Sequence, residues 1–128
     1  MKQIDTLLRL KRFRVDEMQR RIASIDAMKA EIERNLTEMD ENVAHEKKRT
    51  GNSSIGGLAF LSFLRSIEIR RENLHTTLKE IEPEYAAAQV YLSIAIEDLQ
   101  SLEVAIEQQT DLQARRKSLG VGVKVRSG

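Results

Sequence analysis

The chain has 128 residues, of which 41% are hydrophobic, 32% are charged and only 4% are aromatic. A chain of this length ordinarily forms one domain. A high charged fraction with few aromatic residues is typical of long helices that share a narrow apolar contact, and it argues against a thick globular core. The absence of cysteine excludes disulfide bridges and thiolate metal sites.

The formal net charge of +1 hides a segregated distribution. Residues 1–21 carry seven basic and three acidic side chains, whereas residues 80–111 carry eight acidic and no basic ones. The last segment, residues 112–128, carries five basic and no acidic side chains. Both ends of the chain are therefore basic, and acidic stretches lie between them.

The first part of the chain predicts one long helix over residues 4–49. Its apolar side chains recur at alternating spacings of three and four, which is the heptad pattern of a coiled-coil seam. The seam positions are Ile4, Leu8, Lys11, Val15, Met18, Ile22, Ile25, Lys29, Ile32, Leu36, Met39 and Val43. We expect the two exceptions, Lys11 and Lys29, to lie at the seam edge with packed aliphatic stems and ammonium groups in water.

A turn is predicted over residues 50–57, because three glycines and the run Asn52-Ser53-Ser54 interrupt the pattern there. A second helix is predicted over residues 58–117. Its seam positions are Phe60, Leu64, Ile67, Arg71, Leu74, Leu78, Ile81, Tyr85, Ala88, Leu92, Ala95, Leu99, Leu102 and Ile106. Pro83 is expected to kink this helix rather than replace it by a loop. Residues 118–128 have no helical period and are expected to form a flexible tail.

Two helices that carry seams and are joined by a short turn predict an all-α fold, with two long antiparallel helices forming a coiled-coil hairpin over residues 1–117. In an antiparallel pair the residue numbers of two facing residues add up to a constant, which defines the register. For a turn centred at residues 54–55 this sum is near 110. A sum near 103 also matches apolar to apolar, so the register is fixed only to within one heptad. Because a hairpin of two helices has little core, we expect a large partner or self-association.

The sequence contains no pattern that points to catalysis. It has no phosphate-binding glycine loop and no H-E-x-x-H or C-x-x-C motif, and His45 and His75 are isolated. We therefore expect no enzymatic activity, no metal, no cofactor and no small-molecule substrate. Nucleic acid is disfavoured as a partner, since the acidic stretches would repel it and no exposed aromatic run offers stacking. No signal peptide or spanning segment is evident, which predicts a soluble, cytoplasmic protein.

Two segments carry a family resemblance. Leu7-Leu8-Arg9-Leu10-Lys11-Arg12-Phe13-Arg14-Val15-Asp16-Glu17, followed by Gln19-Arg20-Arg21, resembles the start of the flagellar export protein FliJ family, and so does Arg70-Arg71-Glu72-Asn73-Leu74 at the opening of the second helix. The resemblance covers residues 1–117, with the glycine-rich turn and Pro83 as departures.

The resemblance implies a non-catalytic stalk of the flagellar type III export apparatus, which serves bacterial motility. It implies a cytoplasmic protein that is peripherally associated with the inner membrane at the flagellar base. The implied partners are the hexameric export ATPase, the membrane protein of the export gate and the export chaperones.

Two sets of partner-binding residues are expected from the charge pattern together with this resemblance. The set expected to dock in the ATPase ring comprises Arg9, Lys11, Arg12, Arg14, Arg115, Arg116 and Lys117. A contact with the gate or a chaperone is placed at Phe60, Phe63 and Leu64, although these side chains can also simply complete the seam. The alternative to an export function is a structural coiled coil that dimerises or tethers other proteins.

Overall fold

The computed structural model describes residues 2–51 and 54–127, with side chains from 2 to 51 and from 56 to 120. Helix α1 spans Lys2–Thr50 and helix α2 spans Ser54–Ser127. The two helices pack against each other, which confirms the predicted all-α helical hairpin. The chain divides into two compact units, which we call the turn unit, Arg20–Gln89, and the terminal unit, Met1–Gln19 with Val90–Gly128.

Helix α1 ends where glycine permits a left-handed backbone. Gly51 has a φ of 54°, the conformation that glycine commonly adopts just after the last helical residue. The basic run 47–49 occupies the last turn, where cations offset the partial negative charge of the free carbonyl groups. Because α2 begins at Ser54, the interruption is shorter than the predicted turn of 50–57, and residues 52 and 53 lie outside the described residues.

Helix α2 extends beyond the predicted 58–117 at both ends. At its start, α2 includes Gly56 and Gly57, which are half-buried. A helix can include them because a glycine inside a helix costs only about 1 kcal/mol. At its other end, α2 includes residues 118–127, because extending an existing helix requires no new nucleus. The flexibility expected of residues 118–128 stays a prediction, and Gly128 lies outside the described residues.

Burial confirms the predicted seam of both helices. Eleven of the twelve seam positions of α1 are buried or half-buried, and Lys29 is the exposed one. All fourteen seam positions of α2 are buried or half-buried, before and after Pro83. The heptad phase therefore continues through the proline, which lies inside a single helix and does not split it.

The core of the turn unit is a row of seam side chains from both helices. Its buried members are Ile25, Ile32, Ile81 and Ala88, and the side chains packed against them are Ile22, Leu36, Leu74, Leu78 and Tyr85. Their packing removes apolar area from water, and such burial is the main favourable contribution to folding.

Polar contacts between the helices select the register that the sequence leaves open. In the turn unit the Arg71 guanidinium donates to Asp40, and the two numbers sum to 111. In the terminal unit the Lys11 ammonium lies 3.5 Å from a carboxylate oxygen of Asp98, and the sum is 109. With a sum near 103, Arg71 would face Ile32, more than two helical turns from Asp40. The register with a sum near 110 is therefore the correct one.

The described part of the terminal unit has fewer buried hydrophobic side chains than that of the turn unit. Among the described residues, Val15 is the single buried hydrophobic side chain of the terminal unit, whereas the turn unit has six. The exposed large hydrophobic side chains of the terminal unit are Leu7, Leu10, Phe13, Val90, Tyr91, Ile94, Val104, Leu112 and Leu119. A partner that covers these side chains would remove their apolar surface from water.

Two glycine substitutions should change stability in opposite directions. Gly51→Ala should destabilise the hairpin by about 1–2 kcal/mol, because a Cβ disfavours the left-handed backbone of Gly51. Gly57→Ala should stabilise it by about 0.5–1 kcal/mol, because alanine is the better helix former and a Cβ placed there meets no atom within 4 Å. Urea unfolding followed by circular dichroism measures both, and a shift of the same sign for the two variants would contradict this description of the turn.

Candidate functional site

Four of the predicted binding cations lie on α1 in the terminal unit. Arg9, Arg12 and Arg14 are exposed. Lys11 is a half-buried seam residue whose side chain is only 22% exposed, and its ammonium group pairs with Asp98 instead of extending into water as expected. An ammonium group that is already paired with a carboxylate is less available to a partner, so Lys11 contributes to the hairpin more than to an exposed surface.

The other three predicted cations, Arg115, Arg116 and Lys117, are exposed on α2 in the same unit. In the observed register Arg9 faces a residue near 101, so these three cations lie about 14 residues, or about 20 Å, further along α2. In this register no described residue of α1 faces them. The structure therefore arranges the seven residues in two groups, the α1 cations (Arg9, Lys11, Arg12, Arg14) and the α2 cations (Arg115, Arg116, Lys117).

The two groups differ in their electrostatic surroundings. The α1 cations run alongside a part of α2 that carries Glu97, Asp98 and Glu103 and no basic residue. The α2 cations follow Asp111, and no acidic residue lies between 112 and 128. Opposite charges closer than the Debye length of about 8–10 Å offset each other. The positive potential is therefore stronger at the α2 cations than at the α1 cations.

Exposed leucines accompany both groups, and the sequence reasoning did not single them out. Leu7 and Leu10 are 41% and 44% exposed and line a shallow hollow formed by residues 2–10. Leu112 is 53% exposed and lines another hollow together with Arg115. All three leucines lie outside the heptad seam, where no facing helix covers an apolar residue. Their off-seam position in the sequence could have identified them as exposed.

The second predicted contact lies at the start of α2 in the turn unit. Phe60, Phe63 and Leu64 are all half-buried. Phe60 and Leu64 occupy seam positions, which accounts for their burial. Their neighbours Leu58 and Leu61 are 72% and 63% exposed. A partner that approaches this segment would therefore meet Leu58 and Leu61 more readily than the three predicted side chains.

The described residues include no group of three or more His, Cys, Asp or Glu side chains that could hold a metal ion. No helix in the described part of the chain has an apolar stretch long enough to span a bilayer. What the terminal unit does bring together is cations beside exposed leucines. Such a surface suits a protein partner that presents acidic and apolar side chains.

Comparison with known proteins supports the resemblance to the FliJ family. The chain is 25% identical over 111 residues to the protein named Flagellar FliJ protein in two strains of Caulobacter vibrioides, NA1000 / CB15N and ATCC 19089 / CIP 103742 / CB 15. The match covers 87% of this chain and 80% of each relative. No family model matches the chain, and no solved structure matches it.

Replacing Lys11 by leucine should raise the stability of the hairpin by about 1 kcal/mol. The change removes a partly exposed ion pair worth about 0.2–1 kcal/mol and adds apolar burial at a seam position, which is worth about 1.5–3 kcal/mol when complete. Urea unfolding of Lys11→Leu measures the effect, and Lys79→Leu, at an exposed position, is the matched control. A loss of stability in Lys11→Leu alone would mean that the pair with Asp98 outweighs burial.

Proposed function

We propose that this chain is a non-catalytic component of the flagellar type III protein export apparatus. The similarity to the Flagellar FliJ proteins over 87% of the chain supports this assignment. The main structural support for the proposal is a contrast between the two units. The terminal unit exposes cations and leucines, whereas the turn unit has a buried core. A partner that covers the terminal unit would remove this apolar surface from water.

The partner in this proposal is the hexameric export ATPase. The terminal unit docks in the ring, where its cations attract acidic side chains and speed the encounter, and its leucines supply the desolvated contacts that hold the complex. Docking biases the conformations of the ring subunits and raises the rate of ATP turnover without contact with the nucleotide. The α2 cations contribute more than the α1 cations, because no acidic residue follows Asp111.

The turn unit makes the second contact, with the export gate membrane protein or with the export chaperones. Phe60, Phe63 and Leu64 are supported there by the more exposed Leu58 and Leu61. Through this contact the chain helps to deliver substrates or chaperones to the gate. It is cytoplasmic and peripherally associated with the inner membrane at the flagellar base.

The ATPase contact is tested by adding the protein to the export ATPase of the same organism at limiting enzyme concentration. Wild-type protein should raise the ATPase rate, and Arg115→Glu with Arg116→Glu should abolish most of the stimulation and the binding. Arg12→Glu with Arg14→Glu should reduce both to a smaller extent, since acidic residues of α2 already offset these cations. The matched control is Arg65→Glu with Arg70→Glu, which reverses two exposed arginines of the turn unit and should have no effect.

Full stimulation by the variant with Arg115→Glu and Arg116→Glu would contradict docking through the α2 cations. If the wild-type chain neither binds nor stimulates the ATPase, the result favours the alternative function, a structural coiled coil that dimerises or tethers other proteins. Sedimentation equilibrium of the free chain would then measure whether it forms a dimer.

The turn contact is tested by substitutions of Leu61 and Phe63, which both lie outside the seam positions but differ in exposure. Leu61→Ser should weaken binding to purified chaperone or gate protein more than Phe63→Ala does, because Leu61 is the more exposed side chain. Ile69→Ser is the control, since Ile69 is 56% exposed elsewhere in the turn unit. Titration of labelled protein with each partner gives the affinities. Wild-type affinity in both variants would count against a contact at this segment.

A further inference from the structure

A hollow of about 270 Å³ lies beside the one exposed seam position of α1. It is lined by Leu78, Ile81, Glu82 and Tyr85 from α2 and by Lys29 and Glu33 from α1. The four α2 residues have the spacing i, i+3, i+4 and i+7, which forms the hole that receives one side chain of a facing helix in a coiled coil. In the observed register the residue that faces Ile81 is Lys29, so Lys29 is the residue that would normally fill this hole.

Lys29 does not fill the hole. Its side chain is exposed, while Ile81 on the floor of the hollow is only 5% exposed and the flanking Leu78 and Tyr85 are half-buried. The volume exceeds that of an engineered apolar cavity of about 150 Å³ that accepts benzene. The hollow therefore has an apolar floor and room for one large side chain from outside the hairpin.

The charges around the hollow are unpaired. The side chains of Lys29, Glu33 and Glu82 make no ion pair with any other described residue. Two carboxylates and one ammonium group give the rim a net negative charge. A helix that presents one large apolar side chain, with Lys or Arg one turn away, complements both the floor and the rim.

We propose that this site, the Lys29 hollow, binds a helix of another protein. The helix inserts one large apolar side chain between Leu78 and Tyr85 and places a basic residue beside Glu82 or Glu33. Lys29 keeps the hole open, at the expense of packing within the hairpin. The site belongs to the turn unit and uses none of the residues assigned above to the ATPase or to the gate and chaperones, so it is an additional interaction surface.

The probe is a designed, labelled, monomeric helical peptide with one leucine at its centre and an arginine one turn to each side. Fluorescence anisotropy with the full chain gives its affinity. Lys29→Leu should weaken binding by about tenfold to a hundredfold, because the protein's own leucine then fills the hole. Glu82→Arg should also weaken binding, and so should replacement of the central leucine of the peptide by alanine.

Two controls separate occupation of the hole from other effects. Lys79→Leu makes the same chemical change at an exposed position of α2 that does not line the hollow, and it should leave the affinity unchanged. Urea unfolding should show that Lys29→Leu is more stable than wild type, which excludes loss of folding as the reason for weaker binding.

Equal affinity of wild type and Lys29→Leu for the peptide, or no measurable binding by wild type, would overturn the proposal. If wild type sediments as a dimer and Lys29→Leu as a monomer, the occupant is a second copy of this chain, which overturns the assignment to another protein. Lys29→Leu should still stimulate the export ATPase, and the variant with Arg115→Glu and Arg116→Glu should still bind the peptide. Each of the two proposals can therefore be refuted without affecting the other.

Discussion

The antiparallel seam is the contact on which the rest of this structure depends. Each helix has one face that the other helix covers, so a seam position that carries a charged residue must be accommodated within that contact. Lys11 and Lys29 show two different outcomes. Lys11 stays half-buried because Asp98 of the facing helix pairs with it, whereas Lys29 has no such partner, remains exposed and leaves a hollow over Ile81. A charged residue in so thin a core therefore produces either an ion pair or a hole.

The sequence predicts the helices and their seam well, because a period of seven residues is a property of the whole segment and one proline does not change its phase. It does not predict the register, since apolar residues match at sums near 110 and near 103. The choice depends on particular polar contacts, such as Arg71 with Asp40, whose geometry is visible only once the helices are placed. The helix ends are also poorly predicted, because α2 continues through Gly56 and Gly57, where local propensity predicts a turn.

For the candidate site too, the sequence identifies the residue types, whereas their placement requires the structure. Sequence reasoning identified the cations, and with either register Arg115 has no described residue of α1 facing it. It could not say that Arg12 runs beside Glu97 and Asp98, because that statement requires the register with a sum near 110. The leucines off the seam, such as Leu10 and Leu112, are informative only after the seam has been assigned. An apolar residue at a seam position stabilises the fold. An apolar residue outside the seam is available to a partner.

This distinction explains how one repeating pattern gives two units that differ in how many apolar side chains they bury. In the turn unit Ile25, Ile32 and Ile81 are buried in the seam, and the apolar area stabilises the hairpin. In the described part of the terminal unit only Val15 is buried, while large apolar side chains such as Leu7 lie outside the seam. Moving apolar area from the seam to the surface lowers the stability of the isolated unit and raises the free energy that a partner gains by covering it. With the proposed partner bound, the terminal unit would gain part of its stability from that contact, so the proposal couples docking of this unit to its folding.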